Sequence, residues 1–137
     1  MRRIDLQRLS DRKIESALVL AKERHWSNSY YLAGYSIEMA LKAVVAKQIS
    51  ADTIPDKNLI NKVYTHNFGE LRGLAGLKSE YDQAVVADSL LGSNWAICSE
   101  WSPESRYQEK SSAETHFLLV ATTDSKHGVL TWIKKYW

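Results

Sequence analysis

Apolar side chains recur every three or four residues along much of this chain, which is the spacing that places them on one face of an α-helix. In the first such segment, from Leu6 to Arg24, the apolar positions are Leu6, Leu9, Ile14, Ala17, Leu18 and Ala21. The residues His25-Trp26-Ser27-Asn28 interrupt the pattern. We expect Ser27 to cap the helix that follows, because a serine hydroxyl accepts hydrogen bonds from the free amides of a first helical turn.

The second segment, Ser27 to Lys47, has the widest apolar face of the chain. That face consists of Tyr30, Ala33, Gly34, Ile37, Leu41, Val44 and Val45. A neighbouring stripe carries Tyr31, Tyr35, Glu38 and Lys42. A helix of this length spans roughly 31 Å, and its small residues allow other helices to approach closely. We therefore predict that it is the central helix of the fold.

The remaining residues predict shorter helices and one long final helix. Pro55 suits the first position of a short helix, and Thr65 or Asn67 begins the next one, where Asn67 and Glu70 match a capping box. Ser79 is expected to cap a further helix whose inward side chains are Tyr81, Val85, Val86 and Leu90, with Trp95 and Cys98 next along the same stripe.

A polar loop, Trp101 to Lys110, precedes a second capping-box match, Ser111 with Glu114. The helix that starts there is predicted to run to the C-terminus, with Leu118, Ala121, Ser125, Val129, Trp132, Ile133 and Tyr136 on its inner stripe. No hairpin signal is present. The sequence thus predicts an all-α fold, an antiparallel up-and-down bundle of four to five helices, with residues 1–137 forming one domain.

Composition and charge narrow the class of protein without identifying it. The 137 residues include 18 Lys and Arg against 16 Asp and Glu, a balance that does not by itself indicate nucleic-acid binding. The charge is uneven, however, because residues 1–13 hold five basic and two acidic side chains, a net charge of +3. Uncharged runs such as Ser27 to Ile37 are too short to span a membrane, and the N-terminus lacks an apolar signal segment. A single cysteine, Cys98, favours a reducing cytoplasm.

One stretch resembles a known family. The sequence from Tyr30 to Ala43, YYLAGYSIEMALKA, is similar to the signature of the HEPN domain (higher eukaryotes and prokaryotes nucleotide-binding). The resemblance continues at Tyr64-Thr65-His66-Asn67-Phe68, followed by Glu70-Leu71, and again at Trp101 with Ser105-Arg106-Tyr107. These blocks cover most of the chain in the family's order.

The resemblance implies a helical bundle that is commonly a homodimer and is often encoded beside a minimal nucleotidyltransferase, in toxin–antitoxin-like pairs. Many active members are ribonucleases that use an Arg followed four to six residues later by His in the last helix. Arg would hold the phosphate while His moves a proton at the ribose 2′-hydroxyl. No arginine of this chain has a histidine at that separation, and Arg106 and His116 come nearest with nine residues between them.

The candidate ligand-binding residues are Tyr35, Glu38, Lys42, Arg106 and Tyr107. In the functional interpretation, Glu38, Arg106 and Tyr107 form a polar patch that receives a nucleotide. In the structural interpretation, which we favour, Glu38 is a buried carboxylate paired with Lys42 one turn on and with Arg106, so that it anchors the loop before the last helix.

Other chemistry-bearing residues favour structural roles. We expect His66 to pack and bond locally at a helix start, and Cys98 to be a small core residue. His116 and His127 would lie about 16 Å apart on one helix, too far to share a metal, and no zinc or di-iron spacing occurs. The tryptophans Trp95, Trp101, Trp132 and Trp137 are suited to stacking on bases, to filling the bundle or to forming a dimer seam, and we favour the seam.

The sequence therefore predicts a non-catalytic HEPN-like binding or regulatory module with no catalytic residues, metal or cofactor. It is expected to be a cytoplasmic homodimer that engages a nucleotide, RNA or a nucleotidyltransferase partner, with no membrane contact. Two alternatives stay open. One is a metal-independent ribonuclease toxin that uses a displaced pair, Arg106 and His116, and the other is a helical scaffold that only dimerises.

Overall fold

The computed structural model describes residues 1–137 and contains eight α-helices, one 3-10 helix and no strand. The helices are α1 (Arg3–Lys22), α2 (Trp26–Ala46), α3 (Lys57–Lys62), α4 (Phe68–Leu74), α5 (Lys78–Ala87), α6 (Ser89–Ser99), the 3-10 helix (Pro103–Tyr107), α7 (Ser112–Thr123) and α8 (Val129–Ile133). The all-α class predicted from the periodicity is confirmed. None of these helices combines the length and the apolar character needed to cross a membrane.

Two buried serines fix the direction of α1 against α2. Ser10 donates its hydroxyl hydrogen to the carbonyl oxygen of Ser36 at 2.7 Å, and Ser29 donates to the carbonyl oxygen of Ala17 at 2.7 Å. Residues early in α1 therefore lie beside residues in the middle of α2, and residues late in α1 lie beside its start. The two helices are antiparallel, and the hydroxyl-to-backbone bonds show how closely they approach.

The last two helices run in the same direction as α2. Near the start of α2, the Thr115 hydroxyl donates to the carbonyl oxygen of Trp26 at 3.0 Å, and beyond its end Lys47 Nζ donates to the carbonyl oxygen of Tyr136 at 2.6 Å. Helix α6 runs opposite to α7, since Asn94 Nδ2 donates to the carbonyl oxygen of His127 at 2.8 Å while Cys98, four residues further on, lies 3.7 Å from the hydroxyl of Thr122. In chain order, α1, α2, α6 and α7–α8 therefore alternate in direction, as an up-and-down bundle requires.

Helix α2 is the centre of the hydrophobic core. All seven residues of its predicted apolar face are buried. The core cluster that surrounds them joins residues of α1, α4, α6, α7 and α8. Burial on this scale supplies the main stabilisation of such a helix, because hydrophobic packing outweighs intrinsic helix propensity in a folded protein.

The helix predicted from Ser79 onward is two helices. Helix α5 ends at Ala87, and the carboxylate of Asp88 accepts the backbone amides of Leu90 at 3.1 Å and Leu91 at 3.3 Å to start α6. This cap changes the direction of the chain, and so Val86 and Leu90, which we expected to point inward, are exposed. Ser79 lies inside α5 and does not cap it.

The final helix is also interrupted, between Asp124 and Gly128. Asp124 Oδ1 accepts the backbone amides of Lys126 and His127 at 2.9 and 2.7 Å, which closes a turn. A Cβ on Gly128 would lie 2.4 Å from the carbonyl oxygen of Asp124, so that the turn has no room for a side chain there. Ser125, predicted on the inner stripe of one continuous helix, is exposed in this turn.

The predicted helix starts are partly correct. The Ser111–Glu114 capping box is present, and the Asn67 side chain accepts the Glu70 amide at 2.9 Å, although Glu70 Oε2 bonds the Thr65 hydroxyl rather than closing the box.

Two other predicted starts are wrong. Ser27 lies inside α2, where its hydroxyl accepts the backbone amide of Lys110 at 2.8 Å, and His25 occupies the cap position. Pro55 precedes α3, which Asp56 caps through the amides of Asn58 and Leu59. Leu18 was predicted on the apolar face of the first helix but is exposed.

Candidate ligand-binding site

An aromatic cluster lies over the middle of α2. Tyr31 and Tyr35 are one helical turn apart, with ring centroids 5.1 Å apart in an edge-to-face arrangement. The Trp101 ring lies 5.3 Å from Tyr35 and stacks on Phe68 at 5.5 Å with an interplanar angle of 9°. Trp101 Nε1 also donates to the carbonyl oxygen of Tyr31 at 3.2 Å. These contacts bring α2, α4 and the segment before the 3-10 helix together at one place.

Gly34 makes the position of Trp101 possible. A Cβ built on Gly34 would lie 2.2 Å from three atoms of the Trp101 ring, a separation far inside van der Waals contact. The indole therefore rests directly on the backbone of α2. The glycine of the Ala33-Gly34-Tyr35 sequence is required here for close approach and not for an unusual backbone angle.

Glu38 is a buried carboxylate whose two oxygens each contact a nitrogen of another side chain. Its side chain is 1% exposed, and Oε1 lies 2.7 Å from Lys42 Nζ while Oε2 lies 2.8 Å from His66 Nδ1. The predicted pairing with Lys42 is therefore present. His66, which we expected to bond locally, crosses 28 positions of sequence to reach this carboxylate.

Arg106 does not pair with Glu38, and the internal ion pair that we favoured from the sequence is wrong in this respect. Both oxygens of Glu38 are already occupied by Lys42 and His66. Arg106 is exposed on the 3-10 helix, with its guanidinium carbon 4.8 Å from the centroid of the Tyr107 ring. The interaction with the Tyr107 phenol, and then that with Tyr31, raises the pKa of Arg106 above its ordinary value.

A second cation reaches the same surface from α1. Lys13 Nζ lies 5.2 Å above the centroid of the Tyr35 ring, within the range of a cation–π interaction. Burial, and after it the neighbouring Tyr31 hydroxyl, raises the pKa of Tyr35 to about 12. Tyr35 is therefore a neutral hydrogen-bonding phenol at physiological pH. Sequence reasoning missed Lys13, because nothing in the local pattern of α1 links it to a tyrosine of α2.

We call the surface formed by Lys13, Tyr31, Tyr35, Arg106 and Tyr107 the Tyr35 face. Neither of its cations forms an ion pair within 4.0 Å. Tyr107 is 75% exposed and presents an open ring. Positive charge without a carboxylate partner, beside exposed aromatic rings, can bind an anionic group and stack on a planar one. Glu38 is buried, and Lys42 lines a separate cavity with Met39 and Val63, so neither forms part of this open surface.

The other predicted candidates do not assemble into a site. His116 is exposed and makes no side-chain hydrogen bond, while His127 Nδ1 lies 2.8 Å from Asp88 Oδ2. No group of three or more His, Cys, Asp or Glu side chains is placed to hold a metal ion. Cys98 is buried as predicted, and burial raises the pKa of its thiol to about 12.

Three of the four singled-out tryptophans belong to the core. Trp95, Trp101 and Trp132 are buried, and the rings of Trp95 and Trp132 meet edge to face at 6.1 Å. They fill the bundle, so the prediction that they form a dimer seam is wrong for these residues. The same burial keeps the faces of these three rings from stacking on bases. Within the Tyr35 face, the ring that is exposed enough to do so is that of Tyr107.

Comparisons of the chain with protein-family models, with curated proteins and with solved structures find no match.

The Asp88–His127 pair predicts acid sensitivity. The bond with His127, together with the backbone amides of Leu91 and Leu90, holds the pKa of Asp88 below its ordinary 3.8. A carboxyl whose pKa is lower in the folded state stabilises the fold above the unfolded-state pKa and loses that contribution as pH falls through the folded-state value. We expect the urea midpoint to fall below about pH 4 less steeply in Asp88→Asn than in the wild type.

The control for this prediction is Asp52→Asn, because the Asp52 side chain makes no hydrogen bond and asparagine tolerates its positive φ of 64°. This variant is expected to keep the wild-type acid dependence. Identical pH profiles for Asp88→Asn and the wild type would contradict the assignment.

Proposed function

We propose that this protein is a HEPN-like binding module that holds the phosphate of a nucleotide at the Tyr35 face. The observation that carries the proposal is a pair of cations without a carboxylate partner: Lys13 lies over the Tyr35 ring and Arg106 lies against the Tyr107 ring. An arginine fork binds phosphate oxygens in a bidentate manner, and a lysine adds a point charge. The sequence resemblance to a nucleotide-binding family supports the same ligand class.

The aromatic side chains give the ligand an orientation. With phosphate oxygens at Arg106, the open ring of Tyr107, which already lies against this guanidinium, is the surface on which a base would stack. The neutral Tyr35 hydroxyl can donate a hydrogen bond to a phosphate oxygen. Lys42 and His66 occupy both oxygens of the buried Glu38 carboxylate, so neither oxygen is free to compete with the ligand for the cations of this face.

The proposal assigns a binding role and no catalytic residue. The sequence lacks the family's Arg–His ribonuclease spacing, and His116 makes no side-chain hydrogen bond that would orient it as an acid or base. The resemblance further suggests a homodimer that engages a minimal nucleotidyltransferase in a toxin–antitoxin-like pair, and we include both in the proposal.

Calorimetric titration with ATP tests the binding role. We expect saturable binding to the wild-type protein, weakened by about tenfold or more in Arg106→Ala and in Lys13→Ala, because a charge-assisted hydrogen bond contributes about 1.5–3 kcal/mol. The matched control is Lys126→Ala, which removes one positive charge from an exposed turn between α7 and α8 and is expected to bind as the wild type does.

Equal weakening in all three variants would indicate an effect of net charge alone and would contradict the proposed site. Absence of nucleotide binding in the wild type would favour the dimerisation scaffold. Cleavage of RNA by the wild-type protein that disappears in His116→Ala would overturn the non-catalytic assignment in favour of the Arg106–His116 ribonuclease.

A further inference from the structure

Arg72 of α4 contacts two aromatic rings that do not belong to the Tyr35 face. Its guanidinium carbon is 3.8 Å from the centroid of the Tyr81 ring and 4.8 Å from that of Trp95. The two ring centroids are themselves 4.9 Å apart, with an interplanar angle of 56°. A guanidinium sandwiched between two parallel rings would hold them further apart, so the group lies in the angle between the two rings.

The hydrogen-bonding capacity of Arg72 is unused within the protein. Its Nε is buried and has no hydrogen-bond partner. The guanidinium forms no ion pair within 4.0 Å. The nearest carboxylates along the chain have other partners, because Glu70 bonds the Thr65 hydroxyl and Asp82 bonds Lys78.

This arrangement is costly unless an anion completes it. A partly desolvated charge with an unsatisfied buried donor loses free energy that a cation–π contact only partly restores. The rings also hold the guanidinium in one orientation, which removes the entropic cost of ordering a flexible side chain when a ligand arrives. A rigid, unpaired guanidinium is preorganised for a planar fork of two acceptor oxygens.

We propose that Arg72 is the anchor of an oxyanion site that takes a phosphate or carboxylate group where α4 meets the rings of Tyr81 and Trp95. Two parallel N–H groups of Arg72 would donate to two oxygens of the ligand, and the rings of Tyr81 and Trp95 would flank it. This site does not depend on the Tyr35 face. It uses a different arginine on a different helix, and either site can be present without the other.

The buried Nε–H of Arg72 provides a direct readout. In a nitrogen–proton correlation spectrum, we expect one arginine Nε–H to exchange slowly with solvent and to be missing from Arg72→Lys. Sodium phosphate and sodium acetate, added in separate titrations against sodium chloride at matched ionic strength, are expected to shift that resonance to saturation. Whichever anion saturates it at the lower concentration identifies the preferred oxygen geometry, tetrahedral or planar.

Anion binding beside Trp95 is also expected to change the fluorescence of that residue. The variant Arg72→Lys keeps the positive charge but loses the planar guanidinium, and we expect the anion affinity measured by this fluorescence change to fall by about tenfold or more. Trp95→Phe identifies the contribution of that ring among the five tryptophans. The matched control is Arg8→Lys, an exposed arginine of α1 that makes no side-chain hydrogen bond, and it is expected to bind as the wild type does.

Two results would overturn the proposal. One is an Arg72 Nε–H resonance that phosphate and acetate move no more than chloride does. The other is a response of equal size at Arg72 and at the exposed arginines. The wild-type spectrum alone decides both, so neither result depends on whether Arg72→Lys folds. Loss of ATP binding in Arg106→Ala with an unchanged Arg72 response would separate the two sites.

Discussion

Replacing Glu38 with alanine is expected to lower the free energy of unfolding by about 3 kcal/mol, a large part of the stability of a domain of this size. The carboxylate is the only ion-pair partner of Lys42, whose side chain is 15% exposed, and it also bonds His66. Its removal leaves a largely buried ammonium group without a counter-charge. Breaking a buried pair in this way typically costs about 3–5 kcal/mol, and the residual exposure of Lys42 favours the lower end.

Urea unfolding of the purified variants measures this effect. Adding Lys42→Met to Glu38→Ala is expected to recover part of the loss, because the stranded charge is then gone. The matched control is Asp82→Ala, which breaks an exposed pair of the same i, i+4 spacing with Lys78 at 2.6 Å. We expect a change of less than about 1 kcal/mol there. A similar small change in Glu38→Ala would show that the pair is not effectively buried.

Replacing Gly34 with alanine is expected to destabilise the fold by about 3 kcal/mol, although alanine has the higher helix propensity. The new methyl group would occupy space held by the Trp101 ring, 2.2 Å from three of its atoms. The ring is stacked on Phe68 and bonded to the carbonyl oxygen of Tyr31, so it cannot move without losing both contacts. The Trp101 emission is expected to shift to longer wavelength as the indole gains exposure.

Gly73 offers the opposite case within the same protein. It lies inside α4, and a Cβ there would meet no atom within 4 Å. Gly73→Ala is therefore expected to stabilise the protein by about 0.5–1 kcal/mol through helix propensity alone. Equal unfolding midpoints for Gly34→Ala and Gly73→Ala would contradict the close contact between Trp101 and α2.

Both large effects concern the support of the Tyr35 face. Glu38 follows Tyr35 by one turn on α2, and Trp101 contacts the Tyr35 ring directly. We therefore expect a variant at Gly34 that still folds to bind nucleotide more weakly, since a displaced Trp101 would move Tyr35 relative to Lys13. The stability of the core and the geometry of the proposed site are carried by the same helix.

The sequence by itself determined the helical class, the central place of α2 and the start of α7. Each depends on neighbours within about two turns, such as the spacing of Ile37, Leu41 and Val44 or the capping pair Ser111 and Glu114. Periodicity did not predict the helix breaks at Asp88 and Gly128. At these two positions a side-chain cap or a tight turn ends the helix, although the apolar pattern continues beyond the break.

Only the tertiary structure decided which charged groups meet. His66 reaches Glu38 and Lys13 reaches Tyr35 because of how α4 and α1 are rotated and placed against α2, and Arg72 finds its two rings across three helices. Such pairings depend on crossing angle and axial shift, which are set by the packing of the whole core. These pairings cannot be predicted from side-chain spacing along one helix. For this reason the sequence placed Arg106 inside the protein, whereas the structure places it at the surface.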